Sequence, residues 1–164
     1  MKKQITYEEA KERLASLCSR SEQCEFELNR KMINWGLPSS KRNEIIEFLR
    51  ENRFVDDNRF ARSYANDKSK FAAWGPFKIK MELVKRRISG QIITEVLRNI
   101  RQDVWKEGLL KNAMVKSKNL DLLGEEGWDN RQKLFRYLIS RGFPSSAASK
   151  AVNVIKKRQE IKEC

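Results

Sequence analysis

A run of positively charged side chains in the middle of the chain offers the clearest chemistry in the sequence. Nine lysines and arginines lie between Lys68 and Arg101, and only Glu82 and Glu95 oppose them there. Aromatic residues interleave with these charges, namely Phe71, Trp74 and Phe77. Cationic groups neutralise phosphates, and exposed rings stack on bases. We therefore expect a surface that binds a partner or a nucleic acid, with the contacts made by Lys68, Lys70, Lys78, Lys80, Lys85, Arg86 and Arg87.

The same residues also have a purely structural explanation. A helix commonly keeps a charged face in water, so a run of lysines need not contact anything. Trp74 and Phe77 are expected to pack in the core or between structural units rather than to stack on bases. The later charged cluster at 156–158 lies on an amphipathic helix, where a solvated face explains it.

Residues that could support catalysis are scarce. The 164 residues include no histidine, which excludes Ser-His-Asp and Cys-His nucleophile pairs and histidine metal ligands. The pair Asp56 and Asp57 could bind Mg²⁺, but an aspartate at a helix start usually caps the helix and complements its dipole. We expect no enzyme activity, no cofactor and no metal site.

The cysteines and the first residues indicate a cytoplasmic protein. Cys18, Cys24 and Cys164 form an odd set without a close pair, which is typical of reduced thiols rather than of a disulfide framework. The beginning of the chain turns acidic after two lysines, which excludes a signal peptide. No stretch approaches the roughly 18 apolar residues of a membrane span. We expect no membrane partner.

The net charge of +13 predicts a polyanion or an acidic protein surface as the partner. The excess is densest in residues 67–106, which hold ten basic and four acidic residues. Residues 1–66 hold thirteen basic and eleven acidic residues, and residues 107–164 hold twelve basic and seven acidic residues. The middle of the chain is therefore where a polyanion should bind.

The elements that must position these charges are predicted to be helices. Seven Gly and three Pro are about half the average share, and apolar residues step by three or four. The spacing predicts an all-α protein with helices at 7–18, 22–35, 40–52, 57–73, 76–87, 90–101, 103–118, 129–141 and 145–161. Thr6 and Glu9 form a capping box. Further N-cap candidates are Ser21, Ser39 or Ser40, Asp56, Ser89, Asp129 and Ser145.

The chain also repeats itself. The string at 36–40 recurs at 142–146, and the apolar residues around it keep the same offset. A middle copy follows the first by 51 residues, with Arg87 in place of the turn glycine. We predict three tandem three-helix, helix-turn-helix-like repeats at 1–53, 54–101 and 102–164, the second being the most basic. Stacked repeats favour an elongated, curved body, and the alternative is a compact bundle.

Several strings together resemble one known family. They are Arg20-Ser21-Glu22, Glu27-Leu28, Lys31-Met32, Trp35-Gly36-Leu37, Phe54-Val55-Asp56-Asp57-Asn58-Arg59-Phe60-Ala61, Trp74-Gly75-Pro76, Lys78-Ile79, Glu82-Leu83 and Ile88-Ser89. Over residues 16–100 the chain resembles the RecX family of recombinase regulators, and 54–61 resembles its most characteristic motif. Arg87 stands where that family commonly has glycine.

The resemblance implies a regulator without catalytic residues or cofactor. Members of this family are all-helical proteins of three three-helix repeats that bind the RecA recombinase as a filament on single-stranded DNA. They lie in the groove of the filament and typically inhibit its ATPase and strand exchange, which regulates recombination, DNA repair and the SOS response. Some members also bind DNA, so single- or double-stranded DNA is a second partner. We expect a monomer.

Two other functions fit the sequence. A sequence-specific DNA-binding regulator built from helix-turn-helix units would bind one duplex site with nanomolar affinity. A scaffold that binds only protein, with its charge serving solubility, would not bind DNA at moderate salt. Both alternatives lack a catalytic residue.

Overall fold

Every regular element of the protein is an α-helix within residues 5–163, the part that the computed structural model describes. The helices are α1 (Tyr7–Arg20), α2 (Glu25–Asn34), α3 (Ser39–Glu51), α4 (Asp57–Lys70), α5 (Pro76–Lys85), α6 (Gly90–Asn99), α7 (Gln102–Ser117), α8 (Gly127–Ser140) and α9 (Ser145–Glu163). The all-α prediction is confirmed. Across the described range, no helix is long and apolar enough to cross a membrane. Cys164 and residues 1–4 lie outside the described residues.

The predicted caps begin three of the helices. At α1, Thr6 Oγ1 accepts from the Glu9 amide at 3.2 Å, and the Glu9 carboxylate accepts from the Thr6 amide at 3.0 Å. The Asp56 carboxylate accepts from two amides at the start of α4. The Ser89 hydroxyl accepts from the amide of Ile92 in α6. These side chains satisfy amides that have no partner within the helix.

Three other cap predictions are wrong. The Ser21 amide donates to the Leu17 carbonyl, so Ser21 ends α1 rather than beginning α2. Helix α2 therefore begins only at Glu25, after the extended and buried Cys24. Asp129 lies inside the first turn of α8, which begins at Gly127. Neither Ser39 nor Ser40 caps α3, because Pro38 occupies the N-cap position.

Each successive group of three helices encloses its own hydrophobic core. Unit 1 (α1–α3) buries Leu14, Leu28, Met32, Ile45 and Leu49. Unit 2 (α4–α6) buries Phe60, Ala61, Ile79, Leu83 and Val96. Unit 3 (α7–α9) buries Ala113, Leu134, Leu138, Val152 and Ile155. The predicted three-helix repeat is present, and its exact boundaries at 53/54 and 101/102 stay predictions.

The repeat extends to the hydrogen bonds of the turns. In unit 1 the Gly36 amide donates to the Ile33 carbonyl, and the Leu37 amide donates to the Met32 carbonyl. The same two bonds recur around Arg87 and around Gly142. The φ angles are 79° at Gly36, 57° at Arg87 and 91° at Gly142. Arg87 thus adopts the left-handed conformation that glycine takes in the other two units, at some conformational cost.

The units lie in a row. Among the described residues, hydrogen bonds between units join unit 1 to unit 2 or unit 2 to unit 3. Unit 2 therefore lies between the other two. This order confirms the elongated arrangement and puts the most basic unit at the centre of the molecule.

Candidate partner-binding surface

The segment 54–61 forms the joint between units 1 and 2. Val55 is buried in the unit 1 core, whereas Phe60 and Ala61 are buried in the unit 2 core. Between them Asp56 caps α4, as predicted. The Asp57 carboxylate instead accepts the Glu25 backbone amide at 2.9 Å. Burial raises the pKa of Asp57, and this hydrogen bond partly opposes the rise.

Ion pairs also cross this joint. The Arg59 guanidinium contacts the Glu22 carboxylate at 2.6 Å. The Arg86 guanidinium contacts the Glu27 carboxylate at 2.8 Å. Partly exposed ion pairs of this kind are weak one by one and weaken further with salt. The first joint therefore combines these ion pairs with apolar packing, since Cys24 and Phe26 of unit 1 lie in or against the unit 2 core.

Backbone contacts hold the second joint, between units 2 and 3. The Gly75 amide donates to the Arg141 carbonyl at 2.7 Å, and the Phe77 amide donates to the Gly142 carbonyl at 3.0 Å. A Cβ atom on Gly75 would lie 2.3 Å from the Gly142 oxygen, so only glycine allows this approach. The Asn112 side chain adds a hydrogen bond to the Ala73 carbonyl. These contacts fix the start of α5.

Two of the predicted contact residues flank a tryptophan. The Nζ atoms of Lys68 and Lys78 lie 5.0 and 4.5 Å from the centre of the Trp74 ring. Trp74 itself is half-buried against the unit 2 core, as predicted. Among the described residues, neither lysine forms an ion pair with a carboxylate. Two unneutralised cations therefore share one aromatic ring.

Two further predicted residues are engaged within the molecule. Glu82 contacts Lys85 Nζ at 2.7 Å and the Arg86 guanidinium at 2.9 Å. Hydrogen bonds from Lys85 and Arg86 lower the pKa of the Glu82 carboxyl. Arg86 also lies over the Tyr64 ring, 4.9 Å from its centre, and pairs with Glu27. Its side chain, only 22% exposed, therefore ties unit 2 to unit 1.

The remaining three predicted residues are exposed. Lys70 lies at the end of α4, and Lys80 lies on α5. Arg87 lies in the following turn, with its guanidinium 5.2 Å from the centre of the Phe26 ring. Among the described residues, none of the three forms an ion pair with a carboxylate. Of the seven predicted contact residues, these three are exposed and without a carboxylate partner in the described part of the chain.

The structure adds an apolar stripe that sequence reasoning missed. Phe77, Met81 and Val84 are 55%, 62% and 54% exposed, so the prediction that Phe77 is packed is wrong. At 100° per residue these three fall within an arc of about 60°, with Lys80 and Lys85 on its two sides. We call these five residues the α5 face. The sequence signal was the spacing 77, 81, 84, which duplicates the helical period of the core residues Ile79 and Leu83.

The grooves and the Cys24 thiol complete the description of this surface. A groove at the first joint has a volume of about 480 Å³ and is lined by Glu25, Asn29, Arg50 and Arg86 among others. Within the described part of the chain, no group of three or more metal-ligating side chains is found. Burial raises the pKa of the Cys24 thiol to about 11, which leaves it protonated and unreactive at neutral pH.

Comparison with known proteins identifies unit 2 as a known type of three-helix domain. Residues 56–97, which include most of unit 2, match the family model described as RecX, second three-helix domain. The chain is 33% identical over 100 residues to the regulatory protein RecX of Clostridium botulinum (strain Alaska E43), covering 61% of this chain and 46% of that protein. It is 34% identical over 113 residues to the Clostridium tetani protein of the same name, covering 69% and 51%.

The fold is also found in a solved structure. The crystal structure of RecX from Lactobacillus salivarius superimposes with a TM-score of 0.74 at 18% identity, covering 90% of this chain and 94% of that one. The chain spans about half the length of the clostridial relatives. The matched unit 2 and the shared arrangement of helices lead to one conclusion: the chain belongs to the RecX family of regulatory proteins.

Proposed function

We propose that this protein regulates homologous recombination and DNA repair by binding a RecA-type recombinase filament on single-stranded DNA. It lies in the filament groove and inhibits ATP hydrolysis and strand exchange. The observation that carries the proposal is the surface of unit 2, where cations without carboxylate partners are held in fixed positions. Family membership supports the choice of partner.

The end of α4 and the start of α5 are suited to phosphate. Lys68 and Lys78 flank the Trp74 ring, and Lys70 is exposed two residues after Lys68. Bringing cations together without a carboxylate raises the local positive potential, which a phosphate would lower. We propose that Lys68, Lys70 and Lys78 contact the phosphate backbone of the filament's DNA, at a place that the second joint keeps rigid.

The remaining properties follow from this function. A protein that acts by occupying a groove needs no catalytic group, so we propose that it is not an enzyme. A three-unit chain can span neighbouring filament subunits as a monomer. Because its target forms on chromosomal DNA, we propose a cytoplasmic location.

The test is a titration of the protein into a recombinase filament on single-stranded DNA while ATP hydrolysis is followed. The wild-type chain should suppress hydrolysis at low stoichiometry. The triple variant Lys68→Glu/Lys70→Glu/Lys78→Glu should suppress it only at much higher concentration, because each substitution reverses a phosphate-facing charge. The matched control reverses three lysines of α9, Lys150, Lys157 and Lys162, and should act like the wild-type chain.

Two results would overturn the proposal. An unaffected hydrolysis rate, together with tight binding to one duplex sequence, would favour a sequence-specific DNA-binding regulator. Equal suppression by the triple variant and the wild-type chain would remove unit 2 from the phosphate contact. Circular dichroism should show both triple variants folded at the assay temperature. The α9 variant should melt like the wild-type chain, and the unit 2 variant should melt slightly earlier, because the two contacts with the Trp74 ring contribute about 0.5–1 kcal/mol each.

A further inference from the structure

The α5 face is apolar at its centre although it lies outside every hydrophobic core. Phe77, Met81 and Val84 each expose more than half of their side chain, on a helix whose opposite side buries Ile79 and Leu83 completely. Contiguous exposed apolar side chains with a polar rim commonly mark an interaction site. The fold does not use this stripe to pack its own units.

The other two units show that the repeat does not need an apolar residue at all three of these positions. At the position of Met81, unit 1 has Arg30 and unit 3 has Arg136, both exposed. At the position of Phe77, unit 3 has Gln132, and unit 1 has Phe26, which is partly buried against the unit 2 core. At the position of Val84, units 1 and 3 have Ile33 and Ile139, which are 50% and 39% exposed. All three units nevertheless keep the same turn hydrogen bonds and the same buried positions. Among the described residues, unit 2 alone has apolar side chains that are more than half exposed at all three positions, and Met81 has no apolar counterpart in the other units.

The charges around the stripe define what can cover it. Lys80 lies on one side and Lys85, with 64% of its side chain exposed, lies on the other. Arg87 follows at the end of the helix. Glu82 pairs with Lys85 and Arg86, so Lys80 and Arg87 are the cations around the stripe that have no carboxylate partner among the described residues. A complementary surface thus has an apolar groove with acidic residues along its rim.

We propose that the α5 face docks into an acidic-rimmed apolar groove of a partner protein, separately from the phosphate contact at Lys68, Lys70 and Lys78. This inference rests on the proposed function, and the partner is then a protein subunit of the filament. A protein fits better than a nucleic acid because Met81 and Val84 have no ring on which a base could stack. Aliphatic side chains of this kind anchor instead in apolar pockets.

The test replaces the stripe by polar residues of the kind that the sister units carry. The double variant Phe77→Gln/Met81→Gln keeps the net charge, and the Gln132 of unit 3 shows that glutamine is tolerated at one of these positions. The matched control is Ile33→Gln/Val115→Gln, at two positions that are 50% and 58% exposed in units 1 and 3. Binding is measured to the recombinase filament and, separately, to a bare oligo-thymidine strand.

We expect the double variant to bind the filament about tenfold more weakly, the size of loss that removing interface anchors commonly causes. Its affinity for bare oligo-thymidine should be unchanged, and the control should match the wild-type chain in both assays. Unchanged filament binding, or a parallel loss on bare oligo-thymidine, would overturn the inference. If the wild-type chain itself fails to bind the filament, the proposed function falls and this inference falls with it.

Discussion

A substitution at Arg86 distinguishes a residue that stabilises the fold from the residues that we expect to contact a partner. The substitution Arg86→Met removes the guanidinium and keeps most of the apolar side chain. It removes the contacts to Glu27 at 2.8 Å and to Glu82 at 2.9 Å, and the position over the Tyr64 ring. Since the Arg86 side chain is only 22% exposed, these contacts are partly shielded from water.

The expected cost follows from those contacts. Two partly exposed ion pairs contribute about 0.5–1 kcal/mol each, and the contact with the aromatic ring about 0.5–1 kcal/mol. The free energy of unfolding should fall by about 2 kcal/mol. For a chain of this size that lowers the melting temperature by about 4–8 °C.

Thermal melting followed by circular dichroism measures the effect, and filament binding well below the melting temperature measures the function. The matched control is Lys80→Met, at an exposed position without an ion pair among the described residues. We expect Arg86→Met to melt early and bind normally, and Lys80→Met to melt normally and bind weakly. A normal melting curve for Arg86→Met combined with lost binding would refute the reasoning.

Three further predictions concern the joints and the thiol. Gly75→Ala should lower the free energy of unfolding by about 2–4 kcal/mol in denaturant titrations, because the added Cβ displaces two backbone hydrogen bonds and overpacks the joint. The control Gly90→Ala, which adds a Cβ in open space, should change the free energy of unfolding by at most about 1 kcal/mol. Equal effects would contradict the rigid joint. The Cys24 thiol should resist alkylation at pH 8 in the native protein, as mass spectrometry can show, and rapid alkylation would mean that units 1 and 2 separate readily. The pKa of Glu82 is lowered in the folded chain, so its contribution to stability is fully present above the usual value of 4.5 and is lost as the pH falls through the lowered pKa. The variant Glu82→Gln should therefore lose less stability on acidification than the wild-type chain. An equal loss of stability at acidic pH in both proteins would contradict the ion pairs of Glu82.

The sequence predicted the parts of the fold that depend on local periodicity. Apolar spacing located the nine helices of the described range, and the internal repeat located the turns at Gly36 and Gly142. The capping residues Thr6 and Asp56 were readable because a cap acts within three residues of itself. Such signals lie within a short window, so no knowledge of tertiary contacts is required.

The candidate surface was less accessible to sequence reasoning. Helix α5 has apolar residues on opposite sides, so periodicity alone could not decide that Ile79 is buried and Phe77 exposed. The role of Arg86 depends on Glu27, which lies 59 residues away in the chain. Contacts between residues so far apart in the sequence depend on how the units pack against each other, and a local sequence pattern does not predict that packing.

The charged surface of unit 2 can be tested most directly by lysine footprinting. The protein is acetylated briefly, alone and on the recombinase filament, and the modification of each lysine is read by mass spectrometry. We predict that Lys70, Lys78 and Lys80 become protected on the filament while Lys150 and Lys157 of α9 keep their reactivity. Protection confined to the α9 lysines, with Lys70, Lys78 and Lys80 still fully reactive, would contradict this account.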